Sequence, residues 1–246
     1  MRAFAPSLTT RASAGPGIVR GSVLSGACAY YSVAVTVTFQ RTAAEGPLFL
    51  ADISGYTSFL QDVETAHRHD AFANGAIPEA YGLMSSLLDG IVEKIAPPFT
   101  LAKIEGDAVF AFATADDPVP RSEALLECVR TCYGEFATRR AQAGAIWTCT
   151  CDACARASSL DLKFILHAGK YVLQEIAGSR ELSGPEVVMA HRLLKNRAAE
   201  VVGDGAYLLI SAAAASSLEV PLTDAIPMTE TYEHYAPIDT FALPLA

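Results

Sequence analysis

The chain has 246 residues, 51% of them hydrophobic, which suits a folded domain with its own core and excludes a disordered protein. Its formal net charge of −9 is the wrong sign for non-specific nucleic-acid binding. Residues 1–44 hold four arginines (Arg2, Arg11, Arg20, Arg41) and no acid, so the remainder carries −13. An anionic nucleotide handled by that remainder would need metal ions and a few placed cations.

Residues 1–44 read as a poorly ordered extension, with an arginine-rich targeting segment as the alternative. Within them, Ala27–Phe39 is apolar but interrupted by Tyr30, Tyr31, Ser32, Thr36 and Thr38, and alternates like a strand. No apolar run is long enough to span a bilayer. The six cysteines are clustered rather than spread, unlike a secreted disulfide framework, so a cytoplasmic protein with reduced thiols is expected.

Residues 45–246 are expected to form one domain. Pro47–Ile53 reads as a buried strand, Ser54-Gly55 as its turn and Thr57–Val63 as the start of a helix. Ala66–Ile77 is polar. Pro78 opens a second helix to Lys94, with Ala80, Leu83, Met84, Leu87, Leu88, Ile91 and Ile95 at helical spacing; Pro97-Pro98 stops it. Phe99–Ile104 and Ala108–Ala113 form a hairpin around Glu105-Gly106-Asp107. Ser122 is the expected N-cap of a helix to about Ala143. Trp147–Ser159 is a cysteine-rich insert. Leu162–Ala168 and Tyr171–Ala177 are expected to pair across a Gly169-Lys170 turn. A helix from Pro185 to about Arg197, a strand Ala206–Ile210, a short alanine-rich helix and edge strands within Thr229–Leu243 complete the chain. This order predicts an α+β fold, helices packed on a mostly antiparallel sheet.

Two residues carry the chemistry. Asp52 stands at the end of LFLADISGYT, and Asp107 follows Gly106 in LAKIEGDAVFAF. Carboxylates at the ends of apolar strands are costly unless something pairs with them. Oxygen ligands suit Mg²⁺ or Mn²⁺, and a two-metal site needs carboxylates on adjacent strands. The amides of Gly55, Tyr56 and Thr57 open a helix, a natural anion site. Each aspartate alone could equally cap a turn. The other cluster, CTCDAC, has spacing C-x-C-x-x-C. With a fourth ligand, Cys149, Cys151 and Cys154 would make a closed zinc site; Cys128 or Cys132, on the preceding helix, offer a candidate. Core cysteines or a thiol redox pair are the alternatives. His67 and His69 read as surface-loop residues, and His167 as a satisfied, partly buried histidine.

Four segments in order, ADISGYT, KIEGDAV, LKFILHAGKYV and GPEVVMAHR, resemble the motifs of the class III nucleotidyl cyclase catalytic domain, over roughly residues 46–245. More narrowly, ADISGYT together with the cysteine-rich insert and the AHRLLKN helix is similar to an uncharacterised bacterial subfamily of cyclase-like domains. The resemblance implies a ferredoxin-like βαββαβ core and an adenylyl cyclase working as a homodimer, converting ATP to cyclic AMP and pyrophosphate. Asp52 and Asp107 would bind two metal ions, with the Ile53 carbonyl a further ligand. Lys103 would read adenine and Glu181 accept from its amino group; Arg192 would stabilise charge at the transferring phosphorus. Two departures stand out. Val188 occupies the position of the ribose-orienting asparagine, and residues 198–246 contain no lysine to hold the triphosphate. His191 and Lys195, at i+3 and i+7 from Val188 on one helix face, are expected either to replace those contacts or to be solvated.

Overall fold

The computed structural model describes residues 41–69, 75 and 77–245. The expected strand at Ala27–Phe39 and most of the expected extension lie outside them, as does part of the polar segment after His69. Among the described residues no helix is long and apolar enough to cross a membrane.

The elements follow the order β1 (Arg41–Ser54), α1 (Tyr56–His67), α2 (Glu79–Ile95), β2 (Thr100–Glu105), β3 (Ala108–Phe112), α3 (Glu123–Ile146), α4 (Asp152–Ala155), β4 (Asp161–Ile176), β5 (Ser179–Ser183), α5 (Pro185–Arg192), α6 (Ala199–Val202), β6 (Tyr207–Ser211), α7 (Ala212–Ser217), β7 (Ile226–Glu230) and β8 (Ile238–Pro244). They build one mixed sheet in the order β2-β3-β1-β4-β6-β8-β7, with β5 paired to β4. The pairs β2–β3, β3–β1 and β1–β4 are antiparallel, which makes β1 to β4 the ferredoxin-like βαββαβ core. The fold is α+β, as the alternation of elements predicts.

Each face of the sheet carries a core. On one, Phe49, Ala51, Val109 and Phe164 pack against Val63, Leu83, Leu87, Ile91, Leu125 and Phe136 of the long helices. On the other, Leu48, Leu50, Phe110, Phe112 and Ile165 pack against Val187, Met189 and Ala190 of α5. Neighbours along β1 and β3 thus serve opposite faces, the period-two rule of a strand buried on both sides.

Several boundaries differ from expectation. β1 starts at Arg41, so residues 41–44 are strand. Ser122 stands at the N-cap of α3 but caps nothing with its side chain; its φ is 53° and its amide donates to Leu218 O at 2.8 Å. The helix expected to reach Arg197 ends at Arg192 and tightens into a 3₁₀ turn over Leu193–Lys195.

The largest correction concerns Gly169-Lys170. There is no turn there: β4 runs unbroken for sixteen residues, and its hairpin closes further on, at Ala177-Gly178. Gly169 instead lies opposite Gly46 in the β1–β4 ladder. A Cβ on Gly46 would sit 2.1 Å from Ala113 O, and one on Gly169 would sit 2.5 Å from the Glu186 side chain. Both glycines are needed for close approach rather than for reversal.

That ladder also folds over. Through Phe110 and Leu50, Lys103 is level with Ile165 of β4, whereas Glu181 pairs with Gln174, nine residues further along. In a flat sheet nine residues separate such levels by about 30 Å. Yet Lys103 Nζ lies 3.7 Å from Glu181 Oε2, and Leu173 and Leu182 join the second core. The β4–β5 arm therefore curls back over the α5 face, and the Gly46–Gly169 pair lies within the stretch that bends.

Candidate functional site

Asp52 pairs with Ala108 across the β1–β3 ladder, and the Ile53 amide donates to the Asp107 carbonyl at 3.2 Å. The two carboxylates that sequence placed on separate strands thus stand side by side at one end of the sheet. Burial and the Asp52 charge push the Asp107 carboxyl above its usual range; Lys163 opposes them only in part. Burial, then Asp107 itself, also raises the Tyr56 hydroxyl. Gly55 takes a left-handed φ of 85° at the start of α1, and no side chain caps the helix. Its first-turn amides therefore face the same corner without a protein acceptor from an N-cap.

Lys163 was not singled out from the sequence. It lies opposite Asp52 in the β1–β4 register, and its ammonium is 2.8 Å from Asp52 Oδ2. Both side chains are mostly buried, Lys163 at 21% and Asp52 at 13% exposure, so this is a consequential ion pair rather than a surface one. A lysine interrupting LDLKFIL was the available signal, but only cross-strand register shows which acid it meets. One ammonium between two carboxylates leaves a net negative charge, and that donor set fits a divalent cation such as Mg²⁺ or Mn²⁺.

The other expected site residues divide. Lys103 and Glu181 do come together, and Lys103 also lies 2.8 Å from Glu105. The Glu105 hydrogen bond is the main reason that the Lys103 ammonium is held above its usual range. His191 joins this network through Glu105, at 3.4 Å, with its ring edge-on to Phe110. Burial pulls its imidazole below the usual value, so it is neutral at pH 7. Arg192 lies over the Tyr235 ring, 5.3 Å from guanidinium carbon to centroid. Lys195 falls outside the group: the helix has ended before it, and the side chain is exposed in the 3₁₀ turn. The expected shared face of Val188, His191, Arg192 and Lys195 is therefore broken at its last member. Val188 is 45% exposed on α5. His167 is satisfied, with Ser211 Oγ at 2.8 Å and Glu186 Oε2 at 2.7 Å, though it sits within β4 rather than beside a turn.

The second cluster differs from expectation in one ligand. Cys149, Cys151 and Cys154 converge, but their fourth neighbour is His67, the last residue of α1, and all four ligand atoms lie within 4.8 Å of one another. Cys132 is not among them. It is fully buried in the core on α3, where burial pushes its thiol up to about 12, and Cys128 is directed to Lys94 O at 3.9 Å. The helix cysteines fill space between α2 and α3. His67, read from sequence as a surface-loop residue, is the ligand in reach. A half-signature of three cysteines announces a missing fourth group, but nothing in spacing points 82 residues upstream.

Solved structures similar to this architecture include nucleotidyl cyclases. The chain is similar to the adenylyl cyclase CyaB from P. aeruginosa, with 15% identity, 82% of this chain and 95% of that one covered, and a TM-score of 0.56. It is likewise similar to the guanylyl cyclase Cya2, with 13% identity, 84% and 98% covered, and a TM-score of 0.60. These likenesses establish the fold: that of a class III cyclase catalytic domain. By sequence, residues 84–225 match the family described as protein of unknown function DUF2652, and the chain belongs to that family. An uncharacterised Mycobacterium tuberculosis protein, Rv2561/Rv2562, is 32% identical over 173 residues, 66% of this chain and 77% of that protein.

Proposed function

We propose that this chain is a nucleotidyl cyclase that converts ATP to cyclic AMP and pyrophosphate, working as a homodimer. The observation that carries this reading is the juxtaposition of Asp52 and Asp107, half-neutralised by Lys163, beside the uncapped start of α1. Asp52, Asp107 and the Ile53 carbonyl would hold Mg²⁺ or Mn²⁺. When bound, the metal supplies activation of the ribose 3′-hydroxyl and neutralisation of phosphate charge.

The remaining roles belong to the chain. Amides of Gly55, Tyr56 and Thr57 receive phosphate oxygens. Lys103 donates to a ring nitrogen of adenine and Glu181 accepts from its exocyclic amine, their ion pair keeping both side chains in place before the base arrives. Glu105 braces Lys103 from the other side and is itself contacted by His191. Arg192, held over Tyr235, offers a guanidinium to charge developing at the α-phosphorus. A nucleotide substrate and reduced thiols fit a cytoplasmic location.

A second reading is favoured by two residues: a nucleotide-binding regulatory module without turnover. Val188 cannot hydrogen-bond a ribose. Lys163 already occupies one face of Asp52. Product assay with Mn²⁺ and ATP, beside calorimetric ATP binding, separates the two. Cyclic AMP that falls at least roughly 100-fold in Asp107→Ala supports the enzyme; ATP binding with no product supports the module.

A further inference from the structure

Four residues outside the nucleotide corner have geometry that the proposed function leaves unused. His67 Nε2 lies 3.6 Å from Cys149 Sγ, 3.3 Å from Cys151 Sγ and 3.4 Å from Cys154 Sγ. A ring nitrogen offers one N–H or one lone pair, so it cannot satisfy three thiols by hydrogen bonding. Three sulfurs and one nitrogen drawn to one centre are what a cation between them produces. For tetrahedral zinc, Zn–S and Zn–N bond lengths place nitrogen and sulfur about 3.6 Å apart. The distances found here span that value from slightly below.

We propose that His67, Cys149, Cys151 and Cys154 bind one Zn²⁺ in a closed tetrahedral site that staples the end of α1 to the cysteine-rich insert. Thiolate and imidazole donors select zinc over magnesium or calcium, which take oxygen. Four protein ligands leave no open position, so the role is structural rather than catalytic. The local fold is built for it. The Cys154 amide donates to Cys151 Sγ at 3.4 Å as α4 begins, presenting two sulfurs from one tight turn. Ala153, Ala157 and Leu160 anchor the insert in the first core, and Arg156 pairs with Asp62 of α1 as a second tie. The insert holds no strand and only short helical turns, so metal adds a fixation to that of its buried residues.

α1 is a strut between two sites: it opens at Gly55 beside Asp52 and ends at the zinc ligand His67. The zinc proposal does not depend on the nucleotide reading, and its test does not use activity. The purified full chain, loaded with Zn²⁺ and desalted, retains one zinc ion per chain by elemental mass spectrometry. Three thiols become reactive to a colorimetric thiol reagent only after chelation. His67→Ala and Cys151→Ser lose zinc to a chelator that the unaltered chain resists, Cys132→Ala keeps it, and His67→Cys restores it. Should the altered chains not fold, Co²⁺ added to the unaltered chain reads the same site: tetrahedral visible bands with thiolate charge transfer are expected. A folded chain that retains no zinc, zinc retention unaltered in His67→Ala, or an octahedral cobalt spectrum without charge transfer would overturn the proposal.

Discussion

The two ends of α1 solve opposite electrostatic problems. At its start, Asp52 and Asp107 share a corner with a single ammonium, and burial and the Asp52 charge hold the Asp107 carboxyl above its usual range. At its end, one soft ligand from the helix and three from the insert close on a common centre. A site that does chemistry must keep coordination in hand for a substrate, whereas a site that holds chain segments together gains from using it all. The difference teaches where each can be built. The open corner sits on neighbouring strands of a buried sheet, rigid without metal. The closed cluster joins a helix end to an insert that otherwise holds by a few buried side chains and the Arg156–Asp62 pair.

Removing Lys163 gives the largest effect on this contrast. Lys163→Met leaves two carboxylates in one mostly buried corner, which costs about 2 kcal/mol. A drop in Tm of roughly 4–8 °C follows for a domain of this size. Added Mn²⁺ should recover most of it, while leaving zinc content at the other end unchanged. A variant whose Tm is indifferent to Mn²⁺ would show that the carboxylates do not act as a metal site.

Val188→Asn is next. The side chain is exposed on α5, so the change costs little stability, and it supplies the hydrogen bond that valine cannot. Gain of one such contact predicts roughly tenfold higher kcat/KM in a steady-state cyclase assay. No gain would place the ribose elsewhere and favour the binding module.

The smallest effect is on pH. Asp107 ligates only when ionised, so Mn²⁺ affinity, followed by calorimetry, should weaken as pH falls through its raised value. Stability runs the other way. With its folded value above the unfolded one, Asp107 favours the fold at low pH, and that contribution is lost as pH rises through the folded value. Asp107→Asn should therefore raise Tm at neutral pH by about 1–2 °C, solvent screening keeping the gain small.

Sequence carried the helices well, because Leu83, Leu87 and Ile91 repeat at a spacing that only a helix satisfies, and Pro97-Pro98 ends it without ambiguity. It carried the β2–β3 hairpin because Gly106 permits the turn, with φ of 65°. It placed a chain reversal at Gly169-Lys170 because a glycine serves both reversal and close approach, and residue identity does not say which. The partners of Asp52 and of the three cysteines were illegible for one shared reason. Lys163 lies 111 positions along the chain from Asp52, and His67 lies 82 from Cys149; both meetings are set by the sheet and by α1 rather than by local spacing. Lys103 and Glu181 were reached through the family resemblance, and no residue-level rule anticipates an arm folding over.

That folded arm has a consequence for how the molecule can change. Of the two groups assigned to the base, Glu181 sits on β5, the curled extension of β4, and Lys103 sits on β2; those assigned to the metal sit where β1, β3 and β4 run side by side. Glu181 can be redrawn by altering the curl while Lys103 and the carboxylates stay put. Gly46 has a backbone oxygen in the way of any side chain, so it is the immovable half of the pair. Gly169 faces the Glu186 side chain rather than backbone, so a residue there must displace a group that also bonds the buried His167.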